Sequence, residues 1–310
     1  MTKGIARASR AVAVCLAAAL ATAADPPLLP DPPDSPARMG PIDAHRKVAP
    51  DLAKRFAAVI FEGENGERMP YRLFSPASPE PGKRYPLVVF LHGSGGSGTD
   101  NEKQLQGANV FGALVWTRPE VQERWPCFVV APQSDVNWPC VILHEGRLPD
   151  LCPWPALGMG ARGAFGVIDA LLAEKPIDPD RIYVTGHSMG GAGVLPGADP
   201  AAGHRPSFFA AAVPVCGRPD PSTAPLVKDV PIWNFHGEND PIEPVETSRR
   251  MIEALRAAGG RPLHTEYPGV GHNSFRWAYT EPALLEWVFS KRRPARDRAP
   301  TIERLSGGPP

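Results

Sequence analysis

The chain has 310 residues, 43% of them hydrophobic and 21% charged, an ordinary globular balance with enough length for one large α/β domain and a substantial core. Lys plus Arg and Asp plus Glu number 33 each, so no net charge draws the molecule toward nucleic acid or an anionic membrane. The expected ligand is therefore small or neutral.

In chain order, Lys3, Arg7 and Arg10 precede the apolar run AVAVCLAAALAT, and small residues follow at Ala21, Ala23 and Ala24. This is the pattern of a cleaved signal peptide over residues 1–24, with an apolar run too short to span a bilayer. The mature chain is expected to be secreted or periplasmic. Residues 25–51 open with DPPLLPDPPDSPARMGP, read as an extended Pro-rich linker, and the folded part is expected to start near Leu52.

FAAVIFE and RMPYRLF flank Glu64-Asn65-Gly66, a hairpin signal that predicts two antiparallel strands at a sheet edge. Six further runs follow: PLVVFLH, CFVVAPQ, RIYVTGH, FFAAAVPVC, VPIWNFH and RPLHTEY. Several are continuously apolar, as strands covered on both faces are. Helical periodicity occupies Ala161–Lys175, Pro244–Gly260 and Glu281–Arg293. Alternating strands and helices predict a mostly parallel eight-stranded sheet with helices on both faces, a single domain over residues 52–293. Residues 294–310 mix charge, Pro and Gly without apolar periodicity and read as a disordered tail.

Export would give the cysteines an oxidising compartment. Cys127 and Cys216 sit on predicted strands, whereas Cys140 and Cys152 flank a loop, so a Cys140–Cys152 disulfide is expected. It would contribute about 3 kcal/mol by restricting the unfolded chain. No C-x-x-C pair or His/Cys cluster points to a metal.

After RIYVT comes GHSMGG, Gly186 to Gly191, which fits G-x-S-x-G with Ser188 central. A sharp strand-to-helix turn presents such a serine above the sheet and aims the next amide, that of Met189, at the attacked group. A serine hydroxyl needs a base, and the base needs an acid to hold its tautomer. VPIWNFHGEND places Asp240 beyond one strand and YPGVGHNSF places His272 beyond the next. Glu238 is the rival acid, two residues earlier. His264 lies within a strand run and reads as a satisfied structural histidine, whereas His92 and His236 stand at strand ends in supporting positions. His187, next to the serine, is expected to line the substrate pocket.

The run FLHGSGGSG also contains G-x-G-x-x-G, the fingerprint of a dinucleotide loop. That assignment needs an acidic residue about twenty positions on, at the end of the next strand. The nearest, Glu120, lies in the polar segment RPEVQERW. The glycines are read instead as an oxyanion loop in which the amides of Ser94 and Met189 act together. Trp138 and Trp154, near the Cys140–Cys152 loop, are candidates for an aromatic pocket wall.

FLHGSGGSGTDN, DRIYVTGHSMGG, FHGENDPIEP and GVGHNSF, in this order, resemble secreted α/β-hydrolases of the esterase/depolymerase and prolyl-oligopeptidase-like group. That group includes polyhydroxyalkanoate depolymerases, feruloyl and acetylxylan esterases and predicted peptidases. The similarity runs from about Phe56 to Ser290. It implies the α/β-hydrolase fold, a Ser-His-Asp serine hydrolase with no cofactor, and a small-molecule or polymer-linked ester as substrate. A peptidase and a noncatalytic carbohydrate binder are the rivals. Oligomeric state is not legible.

Overall fold

The structure, a computed structural model, describes residues 36–63, 66, 68–77, 79–135, 138, 159–194 and 208–293. The expected signal segment, the expected Cys140–Cys152 disulfide, Trp154 and residues 294–310 lie outside these residues. The strands are β1 (Ala57–Glu62), β2 (Arg68–Phe74), β3 (Tyr85–Leu91), β4 (Phe128–Pro132), β5 (Ile177–His187), β6 (Ala211–Val215), β7 (Trp233–Gly237) and β8 (Leu263–Tyr267). They form one eight-stranded sheet in the order β1-β2-β4-β3-β5-β6-β7-β8. β1 and β2 pair antiparallel, β2 joins β4 antiparallel, and every pairing from β4 through β8 is parallel. All eight expected strands are present.

The helices are α1 (Pro36–Ala53), α2 (Asn109–Leu114), α3 (Pro119–Arg124), α4 (Met159–Glu174), α5 (Met189–Val194), α6 (Ala224–Val227), α7 (Glu246–Ala257), α8 (Phe275–Ala278) and α9 (Leu284–Phe289). None among the described residues is long and apolar enough to cross a membrane. Side chains alternate across a strand, so β3 sends Val88 and Phe90 into one core with Ile42, Leu114, Trp116 and Leu284. Its Leu87, Val89 and Leu91 enter a second core with Ile168, Leu171 and Ile252. Both faces are covered, which is why PLVVF carries no polar residue.

The N-terminal boundary differs from the linker expectation. Residues 36–53 form a helix that contains Pro41 and Pro50. Ile42, His45, Ala49 and Leu52 are its buried positions, spaced to fall on one face. His45 Nε2 donates to Val110 O at 3.0 Å, tying the helix to α2. Packing of this stripe outweighs the backbone hydrogen bonds that two prolines remove. The folded part thus begins at least sixteen residues before Leu52.

Candidate active site

The C-terminal ends of β3, β5, β7 and β8 lie on one edge of the sheet, where open α/β sheets bind ligands. At the end of β5 the chain reverses into α5 through Ser188, whose φ of 55° is left-handed for a residue with a side chain. The turn is held by Ser188 N donating to Val215 O at 2.9 Å. It is possible only because backbones touch here: a β-carbon on Gly190 would stand 1.9 Å from Leu91 O, and one on Gly186 would stand 2.6 Å from Gly190 O. The glycines of G-x-S-x-G are thus a packing requirement.

His272 opens a short helical turn beyond β8. Its Nδ1 lies 2.8 Å from Asp240 Oδ2 and its Nε2 lies 2.9 Å from Ser188 Oγ. A carboxylate only accepts, so Nδ1 carries the proton, and Nε2 of the neutral ring accepts from the serine hydroxyl. Asp240 is 6% exposed, and its other oxygen accepts the amides of Ile242 and Glu243 at 2.9 Å each. The fold therefore brings Ser188, His272 and Asp240 into one hydrogen-bonded chain.

Glu238, the rival acid, faces elsewhere: its Oε2 accepts from Gly269 N at 3.0 Å and braces the loop that carries His272. Asn239 N donates to Val270 O at 2.9 Å in the same brace. His264 accepts from Asn234 Nδ2 at 3.0 Å and donates to Glu266 at 2.9 Å, so it is a satisfied side chain on β8.

The loop beyond β3 is clamped from several sides. Gly93 N donates to Asn109 Oδ1 at 3.0 Å, and Asn109 Nδ2 donates to Lys103 O at 2.9 Å. His92 Nδ1 donates to Gly93 O at 2.8 Å while its Nε2 accepts from Ser134 N at 3.0 Å. Both ring nitrogens are thereby used in the neutral form, and burial pushes the His92 pKa down to about 4. Gln133 Nε2 donates to Gly96 O at 3.0 Å. Ser94 begins the helical turn Ser94–Gly96 and Met189 begins α5, so each amide stands where no acceptor exists within its own helix. A β-carbon on Gly93 would lie 2.8 Å from His187 Nε2, which sets Ser94 beside the elbow.

Two expected pocket residues, Trp138 and His187, are buried. Trp138 is 1% exposed. Its indole N–H donates to His92 O at 2.9 Å and its ring lies 4.7 Å from that of His92. It is a strut under the β3 loop, because its single donor is satisfied by a buried carbonyl and its apolar body fills the core beside Gly193. His187 is packed against Phe275 at 4.7 Å and Phe90 at 5.9 Å, and burial pushes its pKa down to about 3. It fills space behind the serine.

Sequence reasoning missed Asn109, Gln133, Cys216 and Ser248. Only Gln133 carried a local signal, a polar residue directly after the apolar run FVVAP. Cys216 has a left-handed φ of 38° and is fully buried. Its ligand atom and those of Asp240 and His272 lie within 4.8 Å of one another, a grouping that could in principle hold a cation. Both nitrogens of His272 are already committed to the serine and the acid, and burial pushes the Cys216 thiol up to about 12. Cys127, the other described cysteine, is likewise a free buried thiol.

A family profile described as phospholipase/carboxylesterase matches residues 165–278, which contain Ser188, Asp240 and His272. A protein from Nocardia uniformis subsp. tsuyamanensis, NocK, described as a candidate esterase, is 26% identical over 84% of this chain and 71% of its own length. The crystal structure of a thermostable esterase is 39% identical with a TM-score of 0.69, covering 78% of this chain; the chain spans 64% of that protein. A puromycin-hydrolysing peptidase of Mycobacterium tuberculosis shares the fold at 20% identity and a TM-score of 0.52, over 76% of this chain and 40% of its own. Sheet topology and the solved relatives together give the chain the α/β-hydrolase fold, and the profile and relatives make it similar to carboxylesterases of that fold.

Proposed function

We propose that the protein is a secreted serine esterase that cleaves carboxylic esters through an acyl-enzyme. The observation that carries this is the unbroken chain Ser188 Oγ to His272 Nε2 at 2.9 Å and His272 Nδ1 to Asp240 at 2.8 Å, set on a strained elbow. His272 takes the serine proton as the hydroxyl adds to the ester carbonyl, and Asp240 stabilises the imidazolium that results. The amides of Ser94 and Met189 receive the oxyanion. His272 then returns the proton to the departing alcohol, and water attacks the acyl group by the same route in reverse.

Esterase relatives favour small-molecule esters, and short-chain or carbohydrate-linked esters are the preferred classes. An aromatic acyl wall loses its Trp138 support, since that indole is buried. Export rests on the N-terminal charge and apolar pattern.

The test is hydrolysis of p-nitrophenyl acetate beside a panel of sugar acetates, feruloyl esters and aminoacyl amides, with fluorophosphonate labelling of the same preparation. Ser188→Ala should lower kcat by about ten-thousand-fold or more and abolish labelling. Wild-type turnover by that variant would refute the mechanism, and cleavage of amides alone would make the protein a peptidase.

A further inference from the structure

Behind the acid of the triad lies a second imidazole. His236 is the penultimate residue of β7 and is completely buried. Its Nε2 lies 2.7 Å from Glu243 O, and a carbonyl only accepts, so Nε2 carries the proton. Its Nδ1 lies 2.7 Å from Ser248 Oγ, on α7, and must accept from that hydroxyl. The same Nε2 stands 3.4 Å from Asp240 Oδ2, the oxygen that also accepts from His272. Glu243 in turn donates its amide to Asp240 Oδ1 at 2.9 Å. One ring thus grips the loop that presents the acid and turns a positive N–H edge toward the carboxylate.

Resting on the esterase reading above, we infer that His236 is a positioning residue for Asp240: its Nε2–H fixes the acid loop through Glu243 O and moderates the charge that Asp240 presents to His272. Burial lowers the pKa of His236, which keeps the ring a neutral donor. A second cation there would compete with the imidazolium for the same carboxylate. The ionisable groups facing His236 are Asp240, His264 and His272; Glu243 meets it through its backbone carbonyl, and its carboxylate is paired with Arg218 at 2.7 Å. His272 also meets His187, and the Cys216 thiol lies beside Asp240.

Removing the N–H leaves Glu243 O without its partner and makes Asp240 a more basic neighbour for His272. The imidazolium is then favoured, and the free base needs a higher pH. His236→Phe should lower kcat on p-nitrophenyl acetate about tenfold with KM changed by less than about twofold. The acid limb of kcat/KM should move up by about half a pH unit. His236→Gln, whose amide can replace the Nε2 donor, should keep kcat within about threefold of wild type and restore the limb. A Phe variant with an unmoved limb, or a Gln variant as slow as Phe, would reduce His236 to packing and overturn the inference.

If His236→Phe does not fold, imidazole nitrogen NMR of the wild-type protein decides. The neutral Nε2–H tautomer near neutral pH supports the assignment, and the Nδ1–H tautomer or an imidazolium overturns it. Fluorophosphonate labelling separates the two levels: an unlabelled wild-type Ser188 sinks the esterase reading, whereas a labelled wild type with unchanged variants sinks only the role of His236.

Discussion

Gly190→Ala sets two opposing effects against each other. In an exposed helix, alanine in place of glycine stabilises by about 1 kcal/mol. Gly190 lies in the first turn of α5, where the new β-carbon would stand 1.9 Å from Leu91 O, 2.6 Å from Leu91 C and 2.8 Å from His92 O. All three atoms are backbone. Leu91 cannot yield freely, because β3 is paired with β5 and Leu91 stands opposite Gly186. The helix must therefore retreat by at least about 1 Å, taking Met189 and Ser188 away from the loop that carries Ser94. A misplacement of that size costs about a hundredfold in rate, or about 3 kcal/mol in the transition state. Overpacking costs about 1–3 kcal/mol in stability and outweighs the propensity gain. The assay is kcat/KM on p-nitrophenyl acetate with thermal denaturation of the same samples. Gly40→Ala in α1, where no atom lies within 4 Å of the added carbon, is the control and should be neutral or stabilising. Wild-type activity together with an unchanged or higher Tm in Gly190→Ala would refute the close approach of loop and elbow.

Asn109→Ala removes the acceptor of Gly93 N and the donor to Lys103 O in a site 2% exposed. Each orphaned backbone group costs about 1–3 kcal/mol, and kcat should fall because the β3 loop loses its anchor; urea unfolding with steady-state kinetics checks both, and full activity would show that the anchor is dispensable. Acid should weaken the fold before carboxylates titrate fully. His92 and His187 are held down to about 4 and about 3 by burial, so the unfolded chain takes up their protons from about pH 6.5 downward while the native state does not. Their stabilisation is complete above that pH and drains as pH falls toward the folded values, each by up to about 3 kcal/mol at pH 4. Denaturant midpoints at pH 7 and pH 4.5 measure it, and equal midpoints would contradict the buried neutral rings.

The strands were legible because their signals are local. PLVVF and CFVVAP are apolar runs bounded by turn residues, and such runs need only two covered faces to become buried strands. The elbow was legible for the same reason, since GHSMGG packs its whole requirement into a few adjacent positions. Asp240 and His272 could be found because each follows a recognisable strand in a glycine-bearing loop. The helix over residues 36–53 was hidden by its prolines, and its narrow buried stripe has meaning only once α2 is there to receive it.

What the sequence alone determined is thus the set of elements and the order Ser, Asp, His along the chain, since periodicity and turn chemistry act between near neighbours. The insertion of β4 between β2 and β3, the diversion of Glu238 to Gly269, the burial of Trp138 and His187, and the grip of His236 on the acid loop were decided by tertiary structure. Each depends on which partner a polar atom or ring meets across the sheet, and such partners come from residues far apart in sequence.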